Sequence, residues 1–141
     1  MSGEAFDRVI VRLGDVLTEL LQKTEPANDQ RTDERRGLTV AFASVDTATS
    51  GDNTIVAADA ANRVKLLSYV LVADGTVAVR WKSGALTNLS GAMALVVNTG
   101  VASPIGTPSS WLLETAVNEA LVLNLSAAVG VRGHISYFLE A

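Results

Sequence analysis

Hydrophobic residues in the first part of the chain recur at the spacing of an α-helix. Between Ala5 and Gln22 they step by three and four residues, which places them in one stripe along a helix. Glu4 and Asp7 lie near the start, where the helix dipole favours acidic side chains. The pattern predicts an N-terminal amphipathic α-helix over residues 1–22. Its apolar stripe consists of Phe6, Val9, Ile10, Leu13, Val16, Leu17 and Leu20.

Two interpretations of this apolar stripe remain open. The helix can lie on the chain's own domain and complete its core, or it can pack against another chain as a protein-interaction arm. In the second case it would form a short bundle or dock into a groove of a partner. Two and a half heptads are too few to hold a bundle together alone, so self-association would need help from the rest of the chain.

Residues 23–37 separate this arm from the rest of the chain. They are polar, include Pro26 and have no apolar periodicity, which predicts an exposed linker. Arg31, Arg35 and Arg36 alternate with acidic residues, which favours a solvated segment over a basic patch.

After Gly37 the pattern changes to short runs rich in Val, Leu, Ile and Thr, with turn residues between them. Asp74-Gly75 is a strong hairpin signal. The pattern predicts an all-β domain over residues 38–141: an antiparallel β-sandwich, jelly-roll-like, with about eight strands. The predicted strands are 38–45, 54–57, 63–73, 76–82, 92–97, 111–115, 120–125 and 129–140. Residues 46–53 and 98–110 are predicted loops.

Alternation within the strands predicts which side chains share one face of a sheet. In the strand 63–73, one side carries Val64, Leu66, Val70 and Val72. In the strand 76–82, the inward side carries Val77, Val79 and Trp81. In the last strand, one side carries Val131, Ile135, Tyr137 and Leu139, and the other side is polar.

Composition limits the function classes. The 141 residues include no cysteine and one histidine, which excludes a disulfide scaffold, a thiolate metal site and a multi-histidine metal site. The net charge of −4 gives no general attraction to nucleic acid or to an anionic membrane. Residues 1–36 carry 14 of the 26 charged residues, so the domain after Gly37 is poor in charge. That composition suggests a surface covered by partners.

Targeting signals and reactive motifs are also missing from the sequence. The N-terminus lacks the pattern of a secretory signal, and no uncharged apolar run reaches the ~20 residues of a membrane-spanning helix. We therefore expect a soluble protein made in a cytoplasm. The aspartates of the domain fall in predicted turns, and His134 lies on a polar strand face without a nucleophile motif. We expect no enzymatic activity, no cofactor and no small-molecule substrate, with Trp81 and Trp111 as core or interface anchors.

Three parts of the domain resemble a known family. They are SGDNTIVAA at 50–58 with RVKLLSYVLV at 63–72, VAVRWKSG at 77–84, and NEALVLNLS at 118–126 followed by VGVRGHISY at 129–137. Together they are similar to small β-sandwich virion proteins of tailed bacteriophages, over residues 40–141. The matching segments are strand and turn sequences of structural character, and the family offers no catalytic residues among them.

The resemblance implies a head decoration (cement) protein or a related fibre or baseplate component. For a decoration protein the implied partners are the major capsid protein and the chain's own copies, as a homotrimer on the capsid surface. The alternative is a host-recognition module that binds a cell-surface receptor or glycan, with the loop 98–110 as a contact. A small hydrolase is the third hypothesis, and it would depend on one of the carboxylates.

Overall fold

The structure is a computed structural model that describes residues 37–141, and every regular element in that range is a β-strand. Ten strands follow one another along the chain. They are β1 (Ala41–Thr47), β2 (Gly51–Val56), β3 (Arg63–Ala73), β4 (Val77–Ser83), β5 (Thr87–Asn88), β6 (Met93–Leu95), β7 (Thr99–Ala102), β8 (Leu113–Glu114), β9 (Leu121–Leu125) and β10 (Val131–Glu140).

The strands form two antiparallel sheets. The first sheet has the order β1-β10-β3-β7, with β8 also paired to β3. The second has the order β2-β9-β4-β5, with β6 also paired to β4. Chain neighbours such as β1 and β2 lie in different sheets, so the chain crosses between the sheets repeatedly.

Both sheets contribute to one hydrophobic core. Trp81 of β4 is fully buried, and the ring of Tyr69 on β3 lies 5.5 Å from it across the core. Leu71, Leu123 and Ile135 are buried in the same cluster. The all-β prediction is confirmed for these residues, since two antiparallel sheets share a core as in a β-sandwich.

Several strands lie where the alternation of apolar and polar residues predicts them. The predicted strand 63–73 coincides with β3, and the inward set Val77, Val79 and Trp81 of β4 is fully buried. In β10, Val131 and Ile135 are buried at inward positions and Tyr137 packs against the core, whereas Leu139, of the same predicted set, is 37% exposed.

Two predicted loops are partly wrong. The predicted loop 46–53 is reduced to residues 48–50, because β1 continues to Thr47 and β2 begins at Gly51. The predicted loop 98–110 contains β7, which pairs with Val70–Ala73 of β3. Backbone pairing with an existing strand creates these extensions, and the side-chain pattern gives little sign of it. The two-residue β5 was missed for the same reason.

The prediction that Val64, Leu66, Val70 and Val72 share one side of β3 is wrong. Val64 and Leu66 are buried, but Val72 is 43% exposed and Val70 also points outward, while Leu71 and Ala73 are buried. Ser136 of β10 pairs with Ser68, whereas the next residue, Tyr137, pairs with Leu66. Leu67 is therefore the extra residue of a β-bulge, and a one-residue insertion moves all later side chains to the opposite face.

The predicted arm lies outside the described residues. This applies to the helix over 1–22 with its apolar stripe and to the linker 23–37, of which only Gly37 is described. Residues 38–141 form a compact unit of their own. Within the described part, no helix is long and apolar enough to cross a membrane.

Candidate functional site: the free edge and outer face of the first sheet

Strand β1 lies at the end of the first sheet. It pairs with β10 over all seven residues without a register shift, from Ala41 opposite Tyr137 to Thr47 opposite Val131. Among residues 37–141, no strand pairs with its other side. The backbone N–H and C=O groups on that side form a row of hydrogen-bonding groups, which is a template for another strand.

The same strand exposes apolar side chains. Val45 of β1 is buried in the core, so the alternation directs Phe42 to the outer face of the sheet. Phe42 is 75% exposed, and Val40, just before the strand, is also exposed. An isolated exposed apolar residue is ordinary, but a large ring on a free strand edge is unusual in a soluble domain.

Two further aromatic side chains lie on the same outer face as Phe42. Phe42 is opposite Ser136, and Phe138 lies two residues further along β10 on the same face. Phe138 is buried under Trp111, whose ring meets it edge-on with centroids 6.5 Å apart. We call the three rings Phe42, Phe138 and Trp111 the aromatic strip.

Lys65 of β3 anchors the aromatic strip. It is directly opposite Phe138 in the β3–β10 register, and its ammonium lies 3.7 Å from the centre of the Trp111 ring. The same ammonium is paired with the carboxylate of Glu140. A buried ammonium needs such partners, and here a carboxylate and an aromatic face supply them. Trp111 and Lys65 therefore hold each other in place.

The loop that carries Trp111 is fixed to β3 by its backbone. The N–H of Gly106 donates to the carbonyl of Leu67 at 2.7 Å, and the N–H of Leu112 donates to that of Leu66 at 2.8 Å. Trp111 is thus positioned by main-chain bonds and remains partly exposed, at the rim of the strip.

Charged groups on this outer face are paired within the chain. Arg132 lies between Asp46 and Asp74, with N···O distances of 3.5 and 3.1 Å. Arg63 and Glu114 are 3.5 Å apart. Since these pairs are exposed, they add little to stability. They do leave the face around the aromatic strip without a strong net charge.

The outer face of the second sheet holds a polar cluster around Asp52. Lys82 donates to both carboxylate oxygens of Asp52 at 3.0 and 2.8 Å, and the amide of Asn124 donates at 2.6 Å. These hydrogen bonds, led by the one from Lys82, lower the pKa of Asp52 from its ordinary value of 3.8. Lys82 also donates to the carbonyl of Ala85 at 2.5 Å. The charged groups of this cluster find their hydrogen-bond partners within the chain, as in a structural ion pair.

The other residues considered for chemistry are dispersed. Asp59 accepts bonds from the N–H groups of Ala61 and Asn62 in a local turn. His134 is exposed on β10, opposite Ser44. Within residues 37–141, no three His, Cys, Asp or Glu residues come together in a way that could hold a metal ion.

Apolar side chains are also exposed on loops. Leu86, after β4, is 93% exposed, and Ile105, in the connection after β7, is 87% exposed. Ile105 falls within the predicted contact loop 98–110. The remaining exposed loop residues of this kind are Val96, Val97 and Val117.

The sequence predicts part of this site. Trp111 is predicted as a core or interface anchor, and the structure places it over Lys65 at the rim of the aromatic strip. Phe42 and Phe138 are not among the predicted residues. A signal was available for Phe138, because a Phe at an outward position of a strand requires a partner on that face. The predicted interaction residues of the arm, from Phe6 to Leu20, lie outside the described residues.

Comparison with known proteins gives no family: no protein-family model matches the chain, and a search of curated proteins returns no significant match.

Proposed function

We propose that this chain is a structural virion protein of a tailed bacteriophage, and specifically a capsid decoration protein that stabilises the head. In this proposal its partners are the major capsid protein and its own copies, as a homotrimer on the capsid surface. It performs no catalysis and binds no cofactor. The proposal rests on the sequence resemblance, and the surface of the domain supports it.

The observation that carries the proposal is the combination of a free strand edge with an exposed aromatic ring. Phe42 is 75% exposed on β1, which has no Pro, no Lys and no bulge. Monomeric proteins usually protect edge strands with such features. An edge without them, next to an aromatic strip on a face of balanced charge, is suited to permanent contact with another protein surface.

The order of the strands supports a jelly-roll interpretation of the sandwich. When the two-residue strands β5 and β8 are set aside and the others are counted from one to eight, the sheets run 1-8-3-6 and 2-7-4-5. This is the order of a jelly roll, an architecture found in viral capsid domains and in lectins. Fold alone does not define function, so the strand order supports the proposal only together with the surface features.

Head binding tests the proposal. Heads that lack the protein are purified from the encoding phage after deletion of the gene for this chain. They are then sedimented together with the full-length protein. We expect saturable binding at a fixed copy number per head. Phe42→Asp should weaken binding, whereas Leu86→Asp, at an exposed loop position, should not. Absence of binding by the unaltered protein would refute the proposal.

A host-recognition role is the second candidate, and the exposed Ile105 in the connection after β7 favours it. In that case the protein would be a fibre or baseplate module that binds a receptor or glycan. Adsorption of the purified protein to host cells, lost in Ile105→Asp and retained in Leu86→Asp, would support this role. No adsorption to cells together with no binding on a glycan array would exclude it.

A further inference from the structure

We propose that β1 pairs antiparallel with β1 of a second copy about a twofold axis at Phe42, which joins the first sheets of two protomers into one continuous sheet. This inference rests on the proposed function and assigns the free β1 edge to a contact between copies, so Phe42→Asp would weaken head binding through the lost contact between bound copies. If the threefold contact of the proposed trimer also forms, through other surfaces, the β1 contact would link neighbouring trimers.

The choice of β1 follows from a comparison of the sheet edges. On the other side of the first sheet, β7 has four residues and β8 has two. In the second sheet, β5 and β6 are also short, with two and three residues. The remaining edge strand, β2, has a register shift between Thr54 and Val56. Short length and bulges discourage edge pairing, and β1 is the edge that has neither.

The occupant that fits this edge is β1 itself. The edge would accept an extended segment of low charge with an apolar residue on the outer face. Strand β1, AFASVDT, has that composition, and its single charge, Asp46, is already paired with Arg132. A twofold contact requires a self-complementary surface, and β1 meets this requirement because it offers the free edge and the matching strand together.

Side-chain chemistry selects the register. With the axis at Asp46, two carboxylates would be directly opposite, which is unfavourable. With the axis at Ser44, each Phe42 would be opposite an Asp46. With the axis at Phe42, the two rings become direct cross-strand neighbours, and the two Asp46 residues are about 27 Å apart at ~3.4 Å per residue. This register also places Val40 opposite Ser44 of the second copy.

The absence of cysteine makes the register directly measurable. Two full-length variants, Val40→Cys and Ser44→Cys, retain Phe42 and are oxidised separately and as a mixture. In the proposed register, position 40 of one chain is directly opposite position 44 of the other, within the Cα separation that a disulfide needs. Two chains of the same variant hold their thiols about 14 Å apart, which is too far for a disulfide. We expect covalent dimers in the mixture at several times the yield of either variant alone.

A second pair of variants tests the role of the ring. Phe42→Asp, added to both cysteine variants, should lower the yield of mixed dimer to that of the separate variants. Leu86→Asp, which changes a more exposed apolar residue, should leave it unchanged. In sedimentation equilibrium of the cysteine-free full-length protein, Phe42→Asp should weaken self-association about tenfold or more, through the lost aromatic pair and the added charge.

The inference is wrong if the mixture gives no more dimer than the separate variants, or if Phe42→Asp leaves the yield and the mass unchanged. The inference also holds if the cysteine variants that retain Phe42 form the mixed disulfide and the Phe42→Asp protein is still a trimer. In that case the threefold contact lies on another surface. Heads that bind the protein without any mixed disulfide would overturn this inference and leave the proposed function intact. A mixed disulfide without head binding would support the pairing of β1 strands and refute the proposed function.

Discussion

Gly133 of β10 illustrates how one residue limits the packing of the first sheet. A Cβ atom at this position would lie 1.7 Å from the carbonyl oxygen of Val70, a backbone atom that cannot move without breaking the β3–β10 pairing. We expect Gly133→Ala to lower the free energy of unfolding by about 3 kcal/mol or more. Gly91→Ala is the control, since a Cβ there meets nothing within 4 Å. Urea unfolding of both variants measures the difference, and equal stabilities would contradict the close approach.

Asp52 gives the protein a small dependence of stability on pH. Its pKa is lowered in the folded state, so its contribution is fully present above the ordinary value of 3.8 and is lost as the pH falls through the folded value. Because the ion pair with Lys82 is partly exposed, we expect Asp52→Asn to cost less than about 1 kcal/mol at pH 7. The cost should shrink on acidification below pH 3.8. A cost that is the same at neutral pH and in strong acid would contradict this account.

At the scale of the strand, the bulge at Leu67 determines which side chains of β3 reach the core. Val64→Ala and Val72→Ala make the same chemical change on the same strand, before and after the bulge. Val64 is buried, so its truncation should cost about 2–3 kcal/mol. Val72 is 43% exposed, and its truncation should cost less than about 1 kcal/mol. Similar losses in thermal or chemical unfolding would mean that both valines face the core, as plain alternation predicts.

The same strand shows what the sequence could and could not predict. Alternation identifies β3, β4 and the core residues Val79 and Trp81, because burial of one sheet face imposes a period of two. It cannot locate the bulge, since that depends on the pairing with β10. The strand β7 is missed because main-chain bonds to β3 define it.

The candidate site also has residues that the sequence predicts and residues that it does not. A pattern analysis can single out Trp111 as an anchor because tryptophan is rare and large. It cannot show that Phe42 lies on a free edge, because strand order does not follow from the pattern of the individual strands.

At the scale of the whole molecule, the domain combines a well-packed core with an outer surface poor in charge. The first sheet has a long free edge at β1 and an aromatic strip beside it, and the charges of that face are paired within the chain. These features favour stable contact with large protein surfaces over the recognition of a charged ligand. They are consistent with the decoration role and with pairing between copies.

Stabilisation of the head tests the decoration role most directly. Heads that lack the protein are heated with and without the purified full-length chain, and the temperature of DNA release is followed with a dye. We expect added protein to raise that temperature in a saturable manner, with saturation at the copy number found by sedimentation. A release temperature that stays the same with the protein bound at full occupancy would contradict a cementing function.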